Sequence, residues 1–187
     1  MFSIIAKTAG ILGFIFVTGC AHQVALTRHI SDSEARAVIA SSRTRAVQFS
    51  SSIPNHYEYR DPARVLRFRI NHSFESQLKD LFAQKYPNRT GLEEVVDVHL
   101  NSVAMDARFE QKDAQEVPVK RDIYRAIARM NFSVTVGGQV KNFSVSKEAD
   151  TVMLAGDKDS AAAERTQKAA IEGMITNAIL SINHYLD

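Results

Sequence analysis

Two adjacent glycines, Gly137 and Gly138, lie between two runs of residues that alternate apolar and polar. A two-residue hairpin turn needs positive φ at its central positions, and glycine adopts positive φ at little steric cost. The dipeptide therefore predicts a long antiparallel hairpin, with strands over about 119–136 and from 139 to 145 or beyond. Pairing outward from the turn gives two cross-strand pairs: Phe132 with Phe143, and Met130 with Val145.

Three further segments alternate as half-buried strands do, and they cover Arg45–Phe49, Arg64–Ile70 and Val95–Phe109. In the last of them the apolar positions change phase. Val96, Val98 and Leu100 occupy even positions, whereas from Val103 onward the alternating apolar residues occupy odd positions. A change of phase inside a strand indicates an extra residue, so we expect a bulge near Asn101 and Ser102.

Two segments repeat apolar residues at helical spacing. The first follows Ser73, a good capping residue, and ends before Pro87, which cannot continue a helix. The second runs from about Asp159 to Leu186 and carries one apolar stripe. The order of elements predicts an α+β fold, with a small antiparallel sheet of about four strands and both helices packed on one of its faces.

The first nineteen residues have the organisation of an export signal. Lys7 precedes the apolar run Ile11–Val17, and the whole apolar stretch is about a dozen residues, whereas a spanning helix needs ~20. The sequence Val17-Thr18-Gly19-Cys20 follows and resembles the bacterial lipobox, in which cleavage between Gly19 and Cys20 leaves a cysteine that carries a diacylglyceryl group. An uncleaved anchor and an ordinary secretory signal are the alternatives.

Cleavage at this point would remove 19 of the 187 residues. Acyl chains would then hold the protein on a bilayer, since each buried CH₂ contributes ~0.8 kcal/mol. As the lipobox resemblance implies, Ala21 after the cysteine favours the periplasmic face of the outer membrane. The predicted organisation is a signal peptide over 1–19, lipidated Cys20 and a tether over 20–43, and a single periplasmic α+β domain over 44–187. Cap chemistry at Ser31–Glu34 also allows one short helix within the tether.

The composition excludes several functional classes. A formal net charge of +2 does not give the basic face that nucleic acid binding requires. The chain has one cysteine, and lipidation of Cys20 would leave no thiol for redox chemistry or a metal cluster. We therefore predict no cofactor, no metal and no nucleic acid partner.

The candidates for catalytic chemistry are sparse. Asp97 and His99 share a strand face, but two ligands are too few for a metal site, and such residues are typical of a solvated face. His72 lies at a strand-to-helix junction, and the serines of Ser50–Ser52 have no glycine-rich elbow around them. The sequence favours a protein that is not an enzyme, and an envelope hydrolase with His72 or His99 as its base is the weaker alternative.

Arginine is concentrated after the cysteine, since 21–70 contains eight arginines against four acidic residues. Guanidinium groups bind phosphate and carboxylate in a planar, bidentate geometry. Six arginines on predicted strands are therefore candidate contacts for lipopolysaccharide, phospholipid or peptidoglycan: Arg64, Arg67, Arg69, Arg121, Arg125 and Arg129. The alternatives are a solvated strand face for the first group and pairing with Glu148 or other acids across the sheet for the second.

Four segments carry a family resemblance: Phe74–Leu78, Val96–Val103, Lys141–Val145, and the closing helix after Asp157–Asp159. In pattern and order they resemble YajG-type lipoproteins and, more loosely, the lipopolysaccharide-assembly and transport-auxiliary lipoproteins. The resemblance implies a small antiparallel sheet with two helices and no catalytic residue. It also implies a palmitate-bearing lipoprotein of the cell envelope. We predict that this protein acts as an accessory or assembly partner of a larger envelope complex, with direct binding of an anionic envelope ligand as the alternative.

Overall fold

The computed structural model describes residues 21–27, 41, 43–61, 64–87, 93–112, 121–154 and 160–187. The predicted signal peptide, Cys20 and the short helix of the tether lie outside the described residues. Seven strands and two helices are present in this part of the chain. In chain order they are β1 (His22–Val24), β2 (Arg45–Ser51), β3 (Tyr57–Asp61), β4 (Arg64–Phe68), α1 (Ile70–Lys85), β5 (Glu94–Lys112), β6 (Arg121–Val136), β7 (Gln139–Leu154) and α2 (Ser160–Leu186).

The predicted α+β class is confirmed, and the larger sheet has four strands in the order β2-β5-β6-β7. The predicted hairpin of β6 and β7 forms one side of this sheet, with Phe132 opposite Phe143 and Met130 opposite Val145. Gly137 and Gly138 have φ values of 57° and 80°. Both turn positions therefore adopt a positive φ, which glycine reaches at little steric cost.

The predicted bulge in β5 is also present, since the register with β6 shifts between Leu100 and Ser102. Before the shift Val98 faces the core, and after it Val103 and Met105 take over that face. The extra residue keeps apolar side chains on the same face of the sheet along a strand of 19 residues.

Both helices pack on one face of the four-stranded sheet, as predicted. Phe74 of α1 contacts Phe49 of β2 and Phe132 of β6, with ring centroids 5.7 and 5.8 Å apart. On the same face, at the edge strand β7, Tyr185 of α2 contacts Phe143 with ring centroids 5.6 Å apart. One apolar core thus joins both helices to the sheet. Neither helix of the described ranges has the length and hydropathy needed to cross a membrane.

The four-stranded sheet is not wholly antiparallel, which corrects the prediction. β2 pairs in parallel with β5, with Arg45 opposite Glu94 and Ser51 opposite Leu100. A parallel pair requires a long crossover between its strands, and here β3, β4 and α1 form it. Alternation along a strand identifies the buried face but carries no information on the direction of the neighbouring strand.

A second sheet of three strands, in the order β1-β4-β3, was not predicted. It includes the alternating segment around Arg64–Phe68, which was expected in the main sheet. Its residues Leu66 and Phe68 are fully buried in the same core as the main sheet. Residues 22–24, predicted as tether, pair here in parallel with β4. Three residues are too few to show a period, so this strand gives no local signal.

Helix α1 begins at Ile70, earlier than the predicted start at Ser73. Its N-cap residue is Arg69, and no side chain caps the helix. The first turn is held instead by the side-chain amide of Asn71, which donates to the carbonyl oxygens of Ile53 and Pro54, both at 3.2 Å. A tertiary contact thus replaces the local cap that the sequence predicts.

Two tyrosines of β3 close an open edge of β5. Beyond Leu100, no strand of the described residues pairs with the β5 edge that faces β2. The Met105 amide donates to the Tyr57 hydroxyl at 2.9 Å, and the Tyr59 hydroxyl donates to the Ala107 carbonyl oxygen at 3.4 Å. Side chains of the small sheet thereby satisfy backbone groups of the large one.

Candidate functional site

The structure divides the six predicted arginines between two sheets. Arg64 and Arg67 are in β4 and Arg69 directly follows that strand, whereas Arg121, Arg125 and Arg129 are in β6. The two groups therefore do not share one strand face, and each has to be considered separately.

Two of the six predicted contact arginines, Arg67 and Arg125, are paired with carboxylates within the fold. The Arg67 Nε donates to Glu58 Oε1 at 2.8 Å, across the β3–β4 pair. The Arg125 Nε lies 2.9 Å from Glu148 Oε1, and its guanidinium is also 3.4 Å from Glu110. The alternative of pairing with Glu148 across the sheet is thus confirmed. These guanidinium groups would have to give up a carboxylate before they could bind an external anion.

Arg69 lies in a different setting, beside an open cavity of about 450 Å³. The cavity separates the segment after β1 from the first turns of α1, and its lining combines cationic, hydroxyl and apolar side chains. Its polar lining includes Arg69, His72, Ser73 and Ser76, and its apolar lining includes Val24 and Leu26. The positive end of a helix dipole and a guanidinium favour an anionic group at this position.

His99 is the centre of a polar cluster on the solvent side of the main sheet. Its Nδ1 is 2.8 Å from the Ser50 hydroxyl and its Nε2 is 2.7 Å from the Ser52 hydroxyl. Each of these residues was considered as a candidate from the sequence, but the contact between them could not be predicted. The contact depends on the parallel pairing that places Ser50 opposite His99. Since both ring nitrogens are engaged, the imidazole is fixed in orientation in either tautomer.

Two buried cations lie near the Gly137–Gly138 turn, and neither is predicted from the sequence as part of a site. Lys85 has a side chain only 2% exposed, and it forms an ion pair with Asp187. Its ammonium also donates to the carbonyl oxygen and the side-chain oxygen of Asn183, at 3.1 and 2.8 Å. The sequence does not indicate this burial, because a lysine in an amphipathic helix is typical of the solvated face.

Arg45 is the second of these cations. Its guanidinium donates to Glu94 at 2.6 Å, to the Tyr86 hydroxyl at 3.1 Å and to the Leu186 carbonyl oxygen at 3.2 Å. Burial alone would lower the pKa of Arg45, but the hydrogen bonds to Tyr86 and Glu94 outweigh it and raise that pKa above its ordinary value. The group therefore stays charged, and its contribution to stability persists throughout the neutral and mildly alkaline range.

The segment just after Cys20 is fastened to α2. His22 Nε2 is 3.3 Å from Glu164 Oε1. Further along, the Thr27 amide and hydroxyl both donate to Glu172 Oε1, at 2.5 and 2.7 Å, and Glu172 is 6% exposed. The chain is therefore held by a buried carboxylate within seven residues of the predicted lipidation site.

The part of the chain that the structure describes contains no cluster of three or more His, Cys, Asp or Glu side chains that could hold a metal ion. No family model matches the chain. No curated protein matches it either.

Solved structures with a similar fold include three from different bacteria. A minor lipoprotein from Acinetobacter baumannii aligns at TM-score 0.41 and 8% identity, over 74% of this chain and 92% of its own. A protein from Xanthomonas campestris of the family DUF330 aligns at TM-score 0.44 and 10% identity, over 89% and 93%. A Helicobacter pylori protein described as a homologue of a neuraminyllactose-binding hemagglutinin aligns at TM-score 0.43 and 10% identity, over 88% and 92%. These are similarities of fold.

Proposed function

We propose that this chain is a lipid-anchored protein of a bacterial outer membrane, facing the periplasm, and that it serves as a non-enzymatic accessory or assembly partner of an envelope complex. The observation that carries the proposal is the lipobox-like Val17-Thr18-Gly19-Cys20 directly before a folded domain. Acylation of Cys20 would give the domain a permanent membrane attachment. The domain itself would provide the surface for the partner.

A protein partner is favoured over a purely anionic ligand because two of the strand arginines are already paired. Arg67 and Arg125 each lie against a carboxylate of a neighbouring strand. Exposed apolar side chains remain near the turn of the main sheet, where Val95 and Val140 are 39% and 64% exposed. Apolar residues of this kind contribute more to a protein interface than rim charges do.

Crosslinking in intact cells tests the proposal. Full-length tagged protein is recovered from the membrane fraction beside two variants, Cys20→Ser and Val140→Asp, and the bound proteins are identified by mass spectrometry. We expect one defined envelope protein with the parent chain, its loss with Cys20→Ser, and weaker recovery with Val140→Asp. Recovery of the same partner from Cys20→Ser, or of none from the membrane-bound parent, would contradict the accessory role.

Direct binding of an anionic envelope ligand is the second candidate, and the cavity beside Arg69 is the observation that favours it. Arg67→Glu and Arg69→Glu form a matched pair on one strand end. If the cavity is the binding site, Arg69→Glu abolishes binding to vesicles that contain phosphatidylglycerol, whereas Arg67→Glu has little effect. Equal binding by both variants and the parent would eliminate this candidate.

The contact of Ser50 with His99 at 2.8 Å is the observation that favours an envelope hydrolase as a third candidate function. Such an enzyme would lose turnover of an ester or peptidoglycan substrate in Ser50→Ala and in His99→Ala, with His72→Ala as the control for the second predicted base. Turnover that persists in all three variants would eliminate both predicted bases, His72 and His99, and the Ser50 hydroxyl as the nucleophile.

A further inference from the structure

We propose that the end of the main sheet at which β5 ends and β6 begins lies on the surface of the bilayer, and that the Gly137–Gly138 turn points away from it. This inference rests on the proposed acylation of Cys20. It assigns the surface of the domain that contacts the membrane and therefore the orientation of the domain on the bilayer. We call the two ends of the main sheet the anchor end, with Phe109 and Val152, and the turn end, with Gly137 and Gly138.

The link between Cys20 and the described fold is short, so the part of the domain that contains His22 stays close to the bilayer. His22 is two residues after Cys20 in the sequence. Because a residue of extended chain spans at most ~3.6 Å, the Cα of His22 lies within about 7 Å of the residue that would carry the lipid. Residues 22–24 belong to the fold, since β1 pairs with β4 and places His22 opposite Leu66.

Contacts of α2 establish which end of the sheet β1 adjoins. The side-chain amide of Gln167 donates to the hydroxyl of Tyr124, which lies opposite Phe109 in the main sheet. Thr166 contacts Thr151 at the same level, with hydroxyl oxygens 2.6 Å apart. Glu164, which contacts His22, precedes these residues near the first turn of the helix. His22 therefore lies at the anchor end.

The anchor end also exposes side chains that suit a lipid interface. Phe109 is 52% exposed and Val152 is 59% exposed, at neighbouring register positions on opposite faces of the sheet. Contact with the acyl boundary would remove this apolar surface from water. The turn end exposes Val95 and Val140 to a similar degree, so exposure alone does not choose between the ends. The position of β1 identifies the anchor end as the one that faces the membrane.

The orientation has a measurable consequence for reach. β6 contains 16 residues, and a strand rises roughly 3.4 Å per residue. The Gly137–Gly138 turn would therefore stand roughly 50 Å above the anchor end, so that Val140 would meet a partner well clear of the membrane surface.

Tryptophan quenching tests the orientation, because the chain contains no tryptophan. Three full-length variants, Phe109→Trp, Val152→Trp and Val140→Trp, each carry a single tryptophan at an exposed apolar position. The acylated proteins are reconstituted in phosphatidylethanolamine–phosphatidylglycerol vesicles with or without brominated acyl chains, which quench tryptophan at short range. We expect quenching of Phe109→Trp and Val152→Trp and unchanged emission of Val140→Trp.

The outcomes separate this inference from the proposed function. If the parent chain does not float with the vesicles, acylation fails and both proposals are overturned. If it floats but neither anchor-end tryptophan is quenched, or Val140→Trp is quenched as strongly, the orientation is overturned and the lipid anchor stands. The two anchor-end variants on opposite faces guard against the loss of one of them through misfolding.

Discussion

The two ends of the main sheet are held by different chemistry. At the turn end, the buried cations Lys85 and Arg45 bring α1, β2 and the last residues of α2 together through several hydrogen bonds each. At the anchor end, the contact of His22 with Glu164 and the hydroxyl and amide contacts of Thr166 and Gln167 join β1 and the main sheet to α2. Midway along α2, the buried carboxylate of Glu172 holds Thr27. Buried charges require all their partners at once, whereas neutral contacts can be lost one at a time. We therefore expect the turn end to unfold only globally and the anchor end to open locally.

The largest effect should come from Lys85→Ala at the turn end. Removing a fully buried ammonium leaves the Asn183 oxygens without their donor and opens space in the core, so we expect the free energy of unfolding to fall by about 3 kcal/mol. Urea denaturation in detergent measures it. Lys79→Ala is the matched control, because Lys79 pairs with Glu75 on the exposed face of the same helix and should cost less than ~0.5 kcal/mol. A similar cost for both would refute the special role of the buried cation.

Glu172→Ala should free the segment that follows β1, which is held midway along α2. Thr27 loses the acceptor of two hydrogen bonds, and we expect a loss of about 2 kcal/mol, concentrated in β1. Hydrogen exchange should show unprotected amides over 22–24 while β6 keeps its protection. Glu164→Gln, which removes only a partly exposed ion pair, should leave β1 protected. Uniform loss of protection across β1 and β6 would mean that the two ends unfold as one unit.

Gly138→Ala tests whether the turn end depends on its turn as well as on its cations. The added Cβ meets no atom within 4 Å, so the cost arises only from φ of +80° and should be about 1 kcal/mol. Gly137→Asn should be nearly neutral, because asparagine tolerates this conformation in two-residue turns. Thermal unfolding of the pair checks both, and an unchanged midpoint for Gly138→Ala would show that the turn adds nothing beyond the buried cations.

The smallest effect is expected for Arg67→Ala, because Arg67 belongs neither to the buried cations of the turn end nor to the Glu172 contacts. Its bond to Glu58 joins two partly exposed side chains, so the free energy of unfolding should change by less than ~0.5 kcal/mol. Urea denaturation again measures it. A loss as large as that of Glu172→Ala would mean that the small sheet depends on this ion pair.

Local patterns predicted much of this fold correctly. The Gly137–Gly138 hairpin, the bulge after Leu100 and both helices each have a signature within a few residues of sequence. The parallel pairing of β2 with β5 and the second sheet depend on contacts between distant segments, and alternation does not encode them. The same limit applies to the candidate sites. The contact of His99 with Ser50 and the burial of Lys85 are set by those distant segments.

The tyrosine hydroxyls that cover the β5 edge have a further consequence for a protein anchored as proposed. Tethered copies diffuse in a plane, share one orientation and reach high local density, conditions that bring strand edges of neighbours side by side. An uncovered edge would invite sheet extension from copy to copy and growth toward aggregates. Because Tyr57 and Tyr59 already bind the Met105 amide and the Ala107 carbonyl oxygen, a neighbour finds no free ladder on this edge at those positions.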